Sequence, residues 1–161
     1  MKNKKVLFIT QAAMIAAVYV VLTLVFAPFG FGQVQFRISE ALTILPMFTP
    51  AAIPGLFVGC LLGNILAGSI LPDILFGSLA TLIGAVGSYL LRKHRYLVPL
   101  PPIFANILIV PFILRYGYQF LLPIPFMMLT VGIGEVACCG ILGLILMFAL
   151  NKYKHQIFKT V

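Results

Sequence analysis

From residue 6 to residue 150 this chain is a series of apolar runs, several of them about 20 residues long. Short stretches rich in Pro, Gly, Lys or Arg part them. At about 1.5 Å of helical rise per residue, such a run matches the roughly 30 Å hydrocarbon thickness of a bilayer. In lipid every backbone amide must find its partner inside the protein, which leaves helices and closed barrels. A barrel needs short segments of alternating hydrophobicity, and the sequence has no such pattern. With 62% hydrophobic and 9% charged residues and a mean hydropathy of +1.15, it is far from a soluble domain, where roughly a quarter of residues are charged. The fold class is an all-α membrane protein.

Charge placement orients it. The formal net charge is +8, but Lys and Arg gather in Lys2/Lys4/Lys5, Arg92/Lys93/Arg95 and Lys152/Lys154, with Lys159 beyond. Each cluster abuts an apolar run. That is the pattern of cytoplasmic loops, and the same placement suits contact with anionic lipid headgroups. It is not a nucleic-acid footprint. The spacing predicts one transmembrane domain over 1–161, a six-helix bundle with spans near 6–27, 38–47, 50–68, 72–91, 100–114 and 125–150, N-in and C-in. The first run is longer than a signal-peptide core and lacks a clean cleavage site, so it reads as a retained span. Arg37 and Arg115 fall on the outer side, against the charge rule.

The second span is short. Ser39 is a suitable N-cap and Pro46 a stop, leaving about 12–15 Å of helix, too little to cross alone. Thr49 and Pro50 then suit a new helix start. Broken backbone at membrane depth survives only under protein or beside a water-filled cavity, so a hollow is expected near the second and third spans.

Glu40, Asp73 and Glu135 are the whole acidic inventory. An ionisable group inside a span is costly and marks a functional site by default. Glu40 and Asp73 also sit in first helical turns, where the helix dipole favours an acid, and Arg37 is three residues from Glu40, within pairing distance on a helix. Glu135 has neither excuse. Asn106 lies mid-span, Asn64 near the outer end of the third span, and Gln33 and Phe36 in the outer loop. These eight residues form the candidate binding set. Carboxylates, amides and rings together suit a planar, nitrogen-rich base with paired N–H donors, and a cationic substituent would require a second carboxylate. Tyr116 and Tyr118 suit interface anchors. Cys60, Cys138 and Cys139 read as small buried hydrophobes without metal-ligand spacing. No metal or other cofactor is implied.

In the first span Ala12/Ala16 and Ala13/Ala17 form smooth stripes, the kind of surface that lets another helix approach closely in lipid. They suit packing within the bundle or docking to a separate membrane subunit. A six-helix chain with such a face resembles the S component, the substrate-capture subunit, of an energy-coupling-factor (ECF) transporter. Within that group "FRISEALTILPMFTPAAIPGLFVGC" followed by "PDILFGSLATLIGA" is similar to the QueT family of queuosine-precursor transporters. The resemblance implies a multi-pass protein of the bacterial cell membrane that binds a queuine or pre-queuosine deazaguanine base from outside. It also implies an ECF module as partner, one transmembrane coupling subunit and two ATPases, with the alanine face as its docking motif. No phosphate-binding glycine loop is present, so ATP hydrolysis falls to partners and the chain is not itself an enzyme. A self-sufficient proton-coupled carrier using Glu135 is the alternative; carriers often show repeated halves, and no repeat is found. His94 and His155 lie in basic loops far from the acids, which disfavours a membrane enzyme.

Overall fold

The computed structural model describes residues 2–30 and 35–157, and every regular element among them is helical. Helix α1 is Lys2–Val25, followed by a short turn at Ala27–Gly30. A 3-10 helix occupies Ile38–Met47. Helix α2 is Ala52–Leu66. Helix α3, Asp73–Leu90, opens with a π-helical turn at Asp73–Gly77, and α4, Leu100–Gly117, closes with one at Ile113–Gly117. Helix α5 runs through Ile124–Glu135, a π segment at Val136–Leu142 and Gly143–Ile157. Among the described residues four helices are long and apolar enough to cross a membrane, while Ile38–Met47 and Ala52–Leu66 are shorter apolar helices. Large apolar side chains such as Ile9, Leu66, Phe104, Leu129 and Ile145 point outward, as a lipid-facing surface requires.

The second element departs from expectation. It is a 3-10 helix in the middle of the bundle, with Ser39 to Pro46 all buried. At about 2.0 Å per residue it reaches roughly 20 Å, against about 15 Å for an α-helix of ten residues. The tighter pattern is visible at both ends, where Glu40 N–H donates to the Arg37 carbonyl at 2.9 Å and Phe48 N–H to the Leu45 carbonyl at 2.9 Å. Ser39 is not the cap. Arg37 holds that position without a side-chain cap bond, and the Ser39 hydroxyl accepts a hydrogen bond from Thr23 at 3.0 Å. Thr49 is not the cap of α2 either: Ala51 holds that position without a side-chain cap bond, and the Thr49 hydroxyl, in the turn before it, accepts from Ala51 N–H at 3.3 Å and donates to Gln11 at 2.9 Å.

Close packing rests on small residues. Gly55, Gly59 and Gly63 align along α2 against α1. A Cβ at Gly55 would stand 2.7 Å from the Ala12 carbonyl, and one at Gly59 would stand 2.8 Å from Tyr19 Cβ and 3.0 Å from Ala16 Cα. Without a hydrophobic drive between helices in lipid, such close approach supplies the dispersion contact. The two alanine stripes therefore separate. Ala16 is buried and Ala12 half-buried against the glycines, while Ala13 and Ala17 stay exposed. The α3–α4 contact is built alike, Gly84 and Gly87 lying on Pro102 and Pro101. Behind these seams Ile44 and Leu45 of the 3-10 helix pack with Tyr19, Leu56, Val98 and Met147 in one core.

The end of α2 is fixed by its backbone. Gly68 has φ +75°, its N–H donates to the Ile65 carbonyl at 3.1 Å, and Ser69 N–H donates to the Asn64 carbonyl at 3.0 Å. This paired helix stop sets Asn64 at the last turn, facing inward. Gly59→Val adds bulk where Tyr19 and Ala16 leave none, and overpacking of this kind costs roughly 1–3 kcal/mol or more. Thermal unfolding of the purified protein should show a clear loss of stability for Gly59→Val and almost none for Ala13→Leu.

Candidate functional site

Polar side chains from all the helices converge at the end of the bundle that carries residues 26–30, 35–37, 67–72 and 117–123. Nearest that end is an ion pair. Arg37 Nη2 lies 3.3 Å from both oxygens of Asp73 and 3.3 Å from Asn64 Oδ1. Asn64 Nδ2 donates to the Asp73 carbonyl at 3.3 Å, and Tyr118 donates to Asp73 Oδ2 at 3.0 Å. Burial, then the Asp73 carboxylate, push the Tyr118 phenol above its usual range, so it stays protonated and can donate. Tyr118 is thus more than an interface anchor. Gly77, one turn along from Asp73, leaves the room: a Cβ there would stand 2.9 Å from Asp73 Oδ1.

The ion pair joins residues 36 apart, not the neighbours Arg37 and Glu40. Arg37 has φ −83° and ψ 89°, outside helical geometry, so the helical spacing rule does not govern where its side chain goes. Glu40 lies one layer deeper and is fully buried. Its Oε1 accepts from the hydroxyls of Tyr19 on α1 and Thr81 on α3, the latter at 3.0 Å. Its Oε2 has no partner among the described residues. Thr81 also approaches Cys60 Sγ at 3.3 Å.

Glu135 forms the third layer. Cys139 Sγ donates to its Oε2 at 3.3 Å and lies 3.3 Å from Thr43 Oγ1. One ligand atom each from Glu40, Glu135 and Cys139 fall within 4.8 Å of one another. Asn106 is buried with its amide near the Glu135 carboxyl, and neither amide atom makes a well-formed hydrogen bond among the described residues. Cys60 and Cys139 are therefore members of a polar network, contrary to the reading of all three cysteines as plain apolar fillers.

The candidates from sequence are distributed as follows. Arg37, Asp73 and Asn64 touch directly. Glu40 and Glu135 approach each other one layer down, with Asn106 next to Glu135. Phe36 is partly exposed, its N–H donating to the Phe29 carbonyl at 3.0 Å. Gln33 lies outside the described residues. Tyr19, Thr81 and Thr43 were not singled out by sequence, while Tyr118 reads there as an interface anchor and Cys60 and Cys139 as apolar filler rather than as members of the site. A hydroxyl within an apolar run, at the same depth as Glu40, is the signal that marks Tyr19 and Thr81; nothing in the sequence distinguishes Cys139 from Cys138.

The hollow bordered by Arg37, Ser39 and Phe36 measures about 10 Å³, room for about one water. The wider grooves, such as that of about 480 Å³ along Pro72, Phe76, Leu108 and Phe112, are apolar. Small-molecule sites commonly need roughly 300 Å³ or more, so a guest at the polar cluster must part side chains that now touch. The extended residues 35–37 close the cluster from above. Gln35 is buried, and a Cβ on Gly134 would fall 2.0 Å from its carbonyl oxygen.

Removing one member of a buried ion pair strands the other, at about 3–5 kcal/mol, while removing both costs far less. Arg37→Met should therefore lower thermal stability strongly, and Arg37→Met combined with Asp73→Asn should recover much of the loss. Additive losses in that double-mutant cycle would show that the two groups do not depend on each other.

The sequence model of the QueT transporter family matches residues 9–152. The "Queuosine precursor transporter QueT" of Lactococcus lactis subsp. cremoris (strain MG1363) is 34% identical over 85 residues, 52% of this chain and 50% of that protein. The chain thus matches about half the length of that relative. No solved structure matches.

Proposed function

The chain belongs to the QueT transporter family, a multi-pass membrane protein by its long apolar helices, and from that premise we propose that it captures a queuosine precursor for ATP-driven uptake. In this reading it is the S component of an ECF transporter, binding a deazaguanine base at the polar cluster. The relative's name supports the substrate class. The observation that carries the site is the gathering of all three acids, with Asn64 and Asn106, at one end of the bundle. A guanine-like edge offers adjacent N–H donors and a carbonyl. The unpartnered Glu40 Oε2 and Asn106 amide are the complementary groups, buried where water cannot compete.

The proposed topology is six membrane elements, the four long helices plus Ile38–Met47 and Ala52–Leu66, with both termini and the 91–99 loop in the cytoplasm, following Lys and Arg. The polar cluster then opens outward and Phe36 sits at its rim. Docking to the coupling subunit falls to Ala13 and Ala17, which are exposed, because Ala12 and Ala16 face the glycines of α2.

Titration of the purified protein with queuine, its aminomethyl and nitrile precursors, guanine and adenine tests the substrate class. Saturable binding of a deazaguanine and not of adenine is expected, weakened roughly 10- to 100-fold by Glu40→Gln, the loss associated with a charge-assisted hydrogen bond. Failure of every deazaguanine to bind would sink the reading. Ala17→Leu should leave base binding intact while abolishing co-purification with the ATPase module and uptake by cells. Uptake that persists without any ATPase subunit would replace the ECF mechanism with a self-driven carrier.

A further inference from the structure

Three carboxyls and one guanidinium are buried at this end of the bundle, and the guanidinium is placed on Asp73 at 3.3 Å. Glu40 and Glu135 are left facing each other. The groups around them are Tyr19 from α1, Thr43 from the 3-10 helix, Cys60 from α2, Thr81 from α3, Asn106 from α4 and Cys139 from α5. Each of these is neutral in its ordinary state near pH 7, and the buried cation whose field reaches both acids is Arg37, seated on Asp73. Two carboxyls with ligand atoms within 4.8 Å of one another, in a dry interior, suit a guest that brings positive charge to them. A second, independent sign is Asn106. It is about 99% buried within reach of the Glu135 carboxyl, and neither amide atom makes a well-formed hydrogen bond among the described residues, so a polar guest can claim both.

We propose that Glu40 and Glu135 form a subsite for a cationic substituent, so that the protein selects a base bearing an ammonium arm over its neutral isosteres. This rests on the deazaguanine reading above and deepens it. One carboxyl takes the ammonium, the other and the Asn106 amide take the base's N–H and carbonyl edge, and Arg37 remains on Asp73. A primary ammonium has three donors and no acceptor. That fits a pocket whose free atoms, Glu40 Oε2 foremost, include charged acceptors. A metal ion is a poorer match: Tyr19 and Thr81 hydroxyls already occupy Glu40 Oε1, and two carboxyls with one thiol fall short of a closed tetrahedral set.

The test compares the aminomethyl-bearing deazaguanine with its nitrile counterpart, the same ring without the charge, on the wild type, Glu135→Gln and Glu135→Asp. The wild type should bind the ammonium ligand roughly 10- to 100-fold more tightly, the span of one charge-assisted contact. The ratio should fall towards one in Glu135→Gln, whichever way the absolute affinities move, and return in part in Glu135→Asp. Thermal unfolding of each variant separates misfolding from altered selectivity, and Glu40→Gln supplies a second removal of charge if Glu135→Gln does not fold. Equal or tighter binding of the nitrile by wild type would overturn this inference while leaving the deazaguanine reading in place. Absence of binding by either base, with adenine also silent, would overturn both. Stoichiometric zinc retained by the purified protein and lost in Cys139→Ser would assign the pocket to a metal instead.

Discussion

The arrangement depends on how Glu40 is held. It stands in the third position of a 3-10 helix buried on every side, where an isolated carboxylate is prohibitively costly. Hydroxyls from two other helices, Tyr19 and Thr81, donate to one of its oxygens. These bonds tie α1 and α3 to the central element at one point. They also fix the register of the 3-10 helix, because sliding it by a residue would swing the carboxyl away from both donors. The apolar side chains alone would not enforce this: Leu42, Ile44 and Leu45 are similar in volume, and swaps among such residues are tolerated in cores.

All three acids lie at departures from α-helical backbone. Glu40 is in the 3-10 helix, Asp73 is the first residue of a π turn, and Glu135 immediately precedes the π segment Val136–Leu142. Such segments recur at functional sites because they re-aim side chains and leave carbonyls outside the regular ladder. Here the consequence is visible: Cys139, within the π segment, reaches back to Glu135 and also to the Glu40 carbonyl at 3.3 Å. A thiol at this turn thus lies between two elements, its single S–H within reach of either the Glu40 carbonyl or the Glu135 carboxyl.

The sequence disclosed the helical class, since runs of apolar residues and the backbone's demand for partners in lipid leave little else. It also disclosed which polar residues share a depth, because counting residues from the loop end is a one-dimensional problem at about 1.5 Å per step. It did not disclose the pairing. Arg37 and Glu40 are close in sequence, yet Arg37 turns to Asp73, since its backbone is not helical and direction around a helix axis depends on that backbone. The 3-10 geometry of Ile38–Met47 was hidden for the same reason: Pro46 signals a stop but not the pitch before it. The alanines show a third limit. Two stripes a residue apart look alike in sequence, and only the glycines of α2, Gly55 and Gly59, decide which one is covered.

Access to the cluster is then a question of which part yields at least cost. Parting α1 from α2 would forfeit the contacts of Gly55, Gly59 and Gly63 along three helical turns. Parting α3 from α4 would open the Gly84–Pro102 and Gly87–Pro101 seam. The segment 35–37 is held mainly by polar contacts: the backbone hydrogen bonds from Phe36 to Phe29 and from Glu40 to Arg37, the seating of Gln35 on Gly134, and the contacts of Arg37 with Asp73 and Asn64. The polar contacts are also the replaceable ones. A guest with its own donors and acceptors can exchange for a hydrogen bond almost evenly, whereas lost helix packing has no substitute in lipid. The same reasoning gives Gly134 its place: only a residue without Cβ lets residues 35–37 lie flat on α5, so the cover over the carboxyls is set by a glycine one residue from the acid it shields.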